Sequence, residues 1–199
     1  TDTWADDATL EGNPYGLAKV MSERAVREWH SALDEGARPR MVTIHPSVVF
    51  GPSMSKVHHR GSLSFLDALV KRKIPILIPI QINIVDVRDV AEAHVRALTM
   101  GKDGGRYLTV SGDMQFSGIS KAIREEYPEI RTPRLTVPYL IALYGGSLFD
   151  KRITRSWARQ HLRRKIYWDA TPAEEELGMT WKAPRQSVVD SVPGLIGNE

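Results

Sequence analysis

Tyr15 and Lys19 stand four residues apart at the start of an apolar-periodic segment. On a helix, residues at i and i+4 lie one above the other on one face, so both polar heads can point into one cleft. That arrangement suits acid–base chemistry. A free phenol has a pKa of about 10 and is a poor base at neutral pH. Favouring the phenolate by about two units takes about 2.7 kcal/mol. An ammonium about 5 Å away, at an effective dielectric of about 20, supplies roughly 3 kcal/mol. The magnitude is adequate. The pattern Y-x-x-x-K is nevertheless short and common, and a solvated Tyr and Lys is the simpler reading of the pair alone.

The elements around the pair decide between these readings. Residues 1–13 are polar and acidic and read as a loop that delivers the chain to a helix. Pro14 suits the first turn, where its missing N–H costs nothing. The helix is expected to run to about Leu33, with Ala18, Met21, Ala25, Trp29 and Leu33 as its buried stripe. Gly36 and Pro39 punctuate its end. Met41 to His45 then reads as a buried, parallel strand stopped by Pro46. In an open α/β sheet, ligands bind where strands end at their carboxyl side. That rule places Pro46, Ser47 and Val48 at a ligand crevice.

Further along, Phe65, Leu66, Leu69 and Val70 give a helix ending near Lys71-Arg72-Lys73, whose cations suit a helix C-terminus. A strand is expected at 82–87 and a helix at 90–100, with Asp89 as N-cap and Gly101 just beyond its end. Val90, His94, Ala97 and Leu98 mark its apolar side, so His94 reads as a partly buried helix residue and not a ligand. A third strand follows at 106–110, then a helix over 117–126. His58 and His59 lie in a Ser- and Gly-containing loop without a third ligand, which favours solvation over metal binding.

The last third differs in character. Tyr139 to Phe149 is apolar but broken by Gly145-Gly146. Residues 151–165 hold Lys151, Arg152, Arg155, Arg159, Arg163, Arg164 and Lys165, while Ile153, Trp157 and Leu162 offer a buried side. No base-reading motif accompanies these cations. A solvated face, or one binding an anionic tail of substrate or cofactor, is the preferred reading over a nucleic-acid footprint. Thr171-Pro172-Ala173-Glu174 reads as a capping box, and Gly178 ends that helix. A final helix carries Val188, Val189 and Val192.

The chain has 199 residues, 42% hydrophobic and 26% charged, which is enough for a real core. It contains no Cys, which excludes disulfides, Cys-based metal sites and a thiol nucleophile. No run is long and apolar enough to span a bilayer, and nothing resembles a signal peptide. Cytoplasm is the expected location. The net charge of +3 permits anionic ligands without demanding nucleic acid.

Taken in order, five segments resemble the extended short-chain dehydrogenase/reductase superfamily. Asn13-Pro14-Tyr15-Gly16-Leu17-Ala18-Lys19 with Glu23 resembles its catalytic helix. His45-Pro46-Ser47-Val48-Val49-Phe50-Gly51-Pro52 resembles the segment that lies against the nicotinamide. Ile84 to Ala93 resembles a strand–helix junction of the substrate domain. Gly105-Arg106-Tyr107-Leu108 and Glu176-Leu177-Gly178-Met179 match later landmarks. The Pro46-Ser47 pair leans toward the dihydroflavonol reductase-like and cinnamoyl-CoA reductase-like branch, with sugar epimerases next.

The resemblance implies an α/β fold: a Rossmann-like, doubly wound parallel sheet whose N-terminal half is absent, with a smaller C-terminal substrate domain. Residues 1–52 would belong to the dinucleotide-binding domain and 53–199 mainly to the substrate domain, with 82–87, 90–100 and 106–110 linking back to the sheet. The family's G-x-x-G-x-x-G loop and catalytic Ser or Thr have no counterpart in these 199 residues. By themselves they are therefore expected to be inactive.

The implied activity is that of an NAD(P)-dependent oxidoreductase interconverting a carbonyl and an alcohol on a small organic substrate. Tyr15 would pass the proton, Lys19 would assist it and hold the nicotinamide ribose, and Pro46, Ser47 and Val48 would hold the nicotinamide. The cofactor would be NADP or NAD. No metal, nucleic acid or membrane partner is expected, and a homodimer is left open. The alternatives are a nucleotide-sugar epimerase/dehydratase or a catalytically silent nucleotide-sensing protein on the same fold.

Overall fold

The computed structural model describes residues 4–55, 61–149, 155–163 and 165–196; the side chains of 147–149, 156, 157 and 160 fall outside that description. Helix α1 spans Pro14–Ser31, and Asn13 caps it by accepting a hydrogen bond from the Gly16 amide at 2.9 Å. Pro14 takes the first turn, as its fixed φ and missing donor dictate.

The strands form one sheet of two and one of three, interleaved along the chain. Strand β1 (Val42–Pro46) continues through Ser47 into β2 (Val48–Phe50). After helix α2 (Ser64–Val70) comes β3 (Gln81–Asp86), then helix α3 (Val87–Ala97), β4 (Gly105–Thr109), β5 (Gly112–Gln115) and helix α4 (Phe116–Glu126). β1 pairs with β4 in parallel, Ile44 opposite Tyr107. β2 pairs with β3 in parallel, while β3 pairs with β5 antiparallel. The β1–β2 strand therefore changes partner at Ser47, whose amide donates to the Thr109 carbonyl at 3.0 Å.

Helices α5 (Tyr139–Phe149), α6 (Arg155–His161), α7 (Thr171–Leu177) and α8 (Pro184–Ile196) complete the chain. One core lies between β2–β3–β5 and helices α2, α4 and α8, with Phe50, Leu66, Ile84, Ile119 and Val188 buried. A second joins β1 and β4 to α3 and α7 through Ala93, Tyr107, Ala173 and Leu177. A third holds α5 and α6 against residues 76–80.

Several expectations are corrected. The stripe through Ala18, Met21, Ala25 and Trp29 faces outward; Met21 and Trp29 are 60% and 58% exposed. The packed face of α1 carries Glu23, Arg27 and His30, because the strands it meets present polar groups. Asp89 does not cap α3. Asp86 does, accepting from the Arg88 amide at 2.9 Å, so the helix begins three residues before the expected position. Asp89 is buried and instead accepts from the Lys182 amide and ammonium. His94 and Leu98 are exposed, and Ala93 is the buried residue of that helix face.

The capping box at Thr171 is not made: Ala170 is the N-cap without a side-chain bond, and Glu174 accepts from the Trp181 indole at 2.6 Å. Gly145-Gly146 does not break α5. Each glycine costs a helix about 1 kcal/mol relative to Ala, a penalty offset by burying Ala142 and Leu143 in the third core. Among the described residues the basic helix ends at His161, and Ala158 within it and Leu162 just beyond it are buried. His58, His59, Lys151, Arg152, Ile153 and Arg164 lie outside the described residues, as does the Trp157 side chain.

Candidate active site

Tyr15 and Lys19 occupy the first turns of α1 and share a face. The Lys19 ammonium lies 5.5 Å from the centre of the Tyr15 ring, and the tyrosine is 73% exposed. The i, i+4 geometry expected for the pair is therefore present.

What aims that face is a polar layer between α1 and the β1–β4 pair. Glu23 accepts from Arg27 within its own helix at 2.9 Å and from Arg106 of β4 at 2.8 and 3.1 Å. Arg27 also donates to the Gly104 carbonyl and the Thr43 hydroxyl. His45 stands 3.7 Å from Glu23. Burial alone would raise the Glu23 carboxyl, but the hydrogen bonds from Arg106 and Arg27 outweigh it and hold the pKa below the ordinary value. Burial pushes His45 below its ordinary value despite the attraction of Glu23, with Arg106 and Arg27 adding repulsion, so it stays neutral at pH 7. Trp4 lies under the Arg106 guanidinium at 4.2 Å and under Arg24 at 5.3 Å, pinning the entering loop to the same layer.

From sequence, Glu23 enters only through the resemblance, and nothing there joins it to Arg27, His45 and Arg106. An acid and a base at i and i+4 were visible. The third member, 83 residues away on β4, was not.

Pro46 is exposed at the carboxyl end of β1, Ser47 is half-buried at the sheet switch, and Val48 packs on the first core. The Ser47 and Thr109 hydroxyls are buried without a hydrogen-bond partner. They sit at the carboxyl ends of two adjacent parallel strands, where open α/β sheets bind ligands. Buried polar groups are seldom left unpaired, and the Thr109 side chain is fully enclosed.

The remaining landmarks are structural. Asp86 is fully buried and takes both guanidinium arms of Arg88, which also reaches Asp190 at 2.5 Å. Gly51, at φ 129°, passes so close that a Cβ would stand 2.8 Å from Val87. The Tyr107 hydroxyl accepts from the Lys102 amide at 2.7 Å and donates to Glu176 at 2.5 Å, tying β4 to α7. Gly178 closes α7 in the left-handed region at φ 64°.

The profile of the NAD dependent epimerase/dehydratase family matches residues 4–110, more than half of the chain, and the chain belongs to that family. Ketoreductase azaE of Aspergillus niger is 29% identical over 98% of this chain and 54% of its own length. A putative dihydroflavonol 4-reductase of Synechocystis is 25% identical over 76% of this chain and 47% of its own. Among solved structures, Gre2 of Candida albicans in complex with NADPH is 26% identical, with a TM-score of 0.71, over 98% of this chain and 54% of that one. The chain thus spans about half the length of the relatives it matches.

The cofactor of this family is a nicotinamide dinucleotide. Toward its nicotinamide ribose the chain offers Tyr15 and Lys19, exposed polar groups on one helix face. No strand–glycine loop–helix for a pyrophosphate occurs in the sequence. Among the described residues no group of three or more His, Asp or Glu could hold a metal, and no helix could cross a membrane.

Proposed function

We propose that this chain carries the proton-transfer side of an NAD(P)-dependent reductase that interconverts a carbonyl and an alcohol on a small organic substrate. The observation that carries this reading is the Tyr15–Lys19 pair, 5.5 Å from ammonium to ring centre, at the N-terminal end of a helix locked to the sheet by Glu23. Tyr15 donates its hydroxyl proton to the substrate oxygen as that oxygen gains charge, and takes a proton back in the alcohol-oxidising direction. Lys19 stabilises the charge left on the tyrosine oxygen and hydrogen-bonds the ribose beside the nicotinamide. Pro46, Ser47 and Val48 bound the nicotinamide face. When bound, the dinucleotide supplies the reducing equivalent. In this assignment residues 1–52 serve the cofactor side and 53–199 mainly the substrate side.

A ketoreductase and a putative dihydroflavonol 4-reductase among the relatives support the reading of net carbonyl reduction. The test is to incubate the intact protein with NADPH and a panel of aryl and alkyl ketones. The reading predicts one alcohol formed per NADPH consumed. Conversion of a nucleotide sugar to its epimer with no net cofactor consumption would instead assign the epimerase reaction.

A further inference from the structure

We propose that the outer face of helices α5 and α6 docks the protein onto the surface of an anionic lipid bilayer. The first observation is a charge asymmetry. Residues 131–165 hold nine Lys and Arg and one Asp, a net of +8, while the whole chain is +3, so the other 164 residues carry −5. An anionic surface attracts the one segment and repels the rest, which fixes an orientation.

The second observation is where the apolar groups lie. α5 and α6 bury Ala142, Leu143, Ala158 and Leu162 against Ile78 and Ile80. Leu162 bridges to Ile80, and the Arg163 amide donates to the Pro79 carbonyl, so the two helices are tied down on their inner side. Their outer side is left apolar: Leu140, Ile141 and Tyr144 are 63%, 54% and 57% exposed. At i, i+1 and i+4 they form one helix face. Scattered exposed apolar residues need no explanation, but a cluster on one face does.

The third observation is that cations frame this face. The Arg155 guanidinium lies 5.3 Å from the Tyr144 ring and that of Arg163 5.3 Å from the Tyr139 ring. Arg159, one turn from Arg155, is exposed beside them. Among the described residues, Arg155, Arg159 and Arg163 form no ion pair. Apolar and aromatic side chains bordered by arginines are the composition of a helix that lies in the headgroup layer. This proposal is independent of the reaction above. It revises the expectation of no membrane partner, which rested on the lack of a spanning segment.

The experiment is co-sedimentation of the intact protein with vesicles of phosphatidylcholine alone, or with about 30% phosphatidylserine, at low and high salt. Partitioning should favour the anionic vesicles at least about tenfold and fall with salt. Each cation near such a surface is worth roughly a factor of five. The triple variant Arg155→Gln, Arg159→Gln, Arg163→Gln should therefore bind on the order of 10²-fold more weakly. Leu140→Asn with Ile141→Asn should weaken binding about tenfold, through lost apolar burial. All five side chains are exposed, and an unchanged circular dichroism spectrum verifies that the fold is kept. Equal binding to neutral vesicles, no binding to either, or retention of full binding by either variant overturns the proposal. So does a dimer that these substitutions dissociate in the absence of vesicle binding, which would assign the face to a second copy.

Discussion

Glu23 of α1 and Arg106 of β4, far apart in sequence, meet through two hydrogen bonds of 2.8 and 3.1 Å. The Glu23 side chain is only 11% exposed, so the pair is a shielded clamp and not a surface ion pair. It fixes the rotation of α1 about its axis, and hence the direction in which Tyr15 and Lys19 point.

Glu23→Gln keeps the shape and removes the charge, leaving Arg106 and Arg27 unneutralised. Removing one partner of a buried pair costs about 3 kcal/mol. Urea denaturation should show a loss of that order, and turnover should fall because the helix loses its register. A change below about 0.5 kcal/mol, the size expected for an exposed pair, would deny the clamp its role.

Acid should loosen the same layer. Both Glu23 and His45 have folded-state pKa values below their ordinary ones of 4.5 and 6.5. A depressed folded pKa means that the unfolded chain binds protons more readily, so stability rises with pH across the interval. The His45 contribution is complete above pH 6.5 and is lost as pH falls through its lower folded value. Glu23 follows the same sign below pH 4.5. His45→Gln should flatten the stability profile just below pH 6.5. An unchanged slope in that variant would place the titrating group elsewhere.

Tyr107→Phe should destabilise by about 1–3 kcal/mol, because the Lys102 amide loses its acceptor and Glu176 its donor. Thermal unfolding of the variant reads this directly. A Tm equal to that of the parent would show that water replaces the hydroxyl at no cost.

The chain's landmarks were legible where local chemistry acts alone. Asn13-Pro14 starts α1 because a cap and a proline need no distant partner. The parallel strand at Met41–His45 was legible as a short apolar run after a helix and a turn, although the structure leaves it half-buried and not enclosed. The buried side of α1 was not, since an apolar stripe predicts burial only when the neighbouring layer is also apolar. Here the neighbour presents Thr43 and Arg106, and the polar side turns inward. Asp89 reads as the cap from sequence, and only its contact with Lys182, far along the chain, shows why Asp86 takes that role instead. At the site itself the Tyr15–Lys19 spacing was readable, whereas Thr109 as the companion of Ser47 required the β1–β4 register.

The central claim is that Tyr15 passes the proton while Lys19 also holds the cofactor. It is tested most directly by measuring kcat and NADPH affinity of Tyr15→Phe and Lys19→Ala in the intact protein. The account predicts that Tyr15→Phe lowers kcat at least about 10²-fold with cofactor affinity nearly unchanged, and that Lys19→Ala impairs both. Near-normal turnover in Tyr15→Phe would contradict it and give the proton transfer to another group.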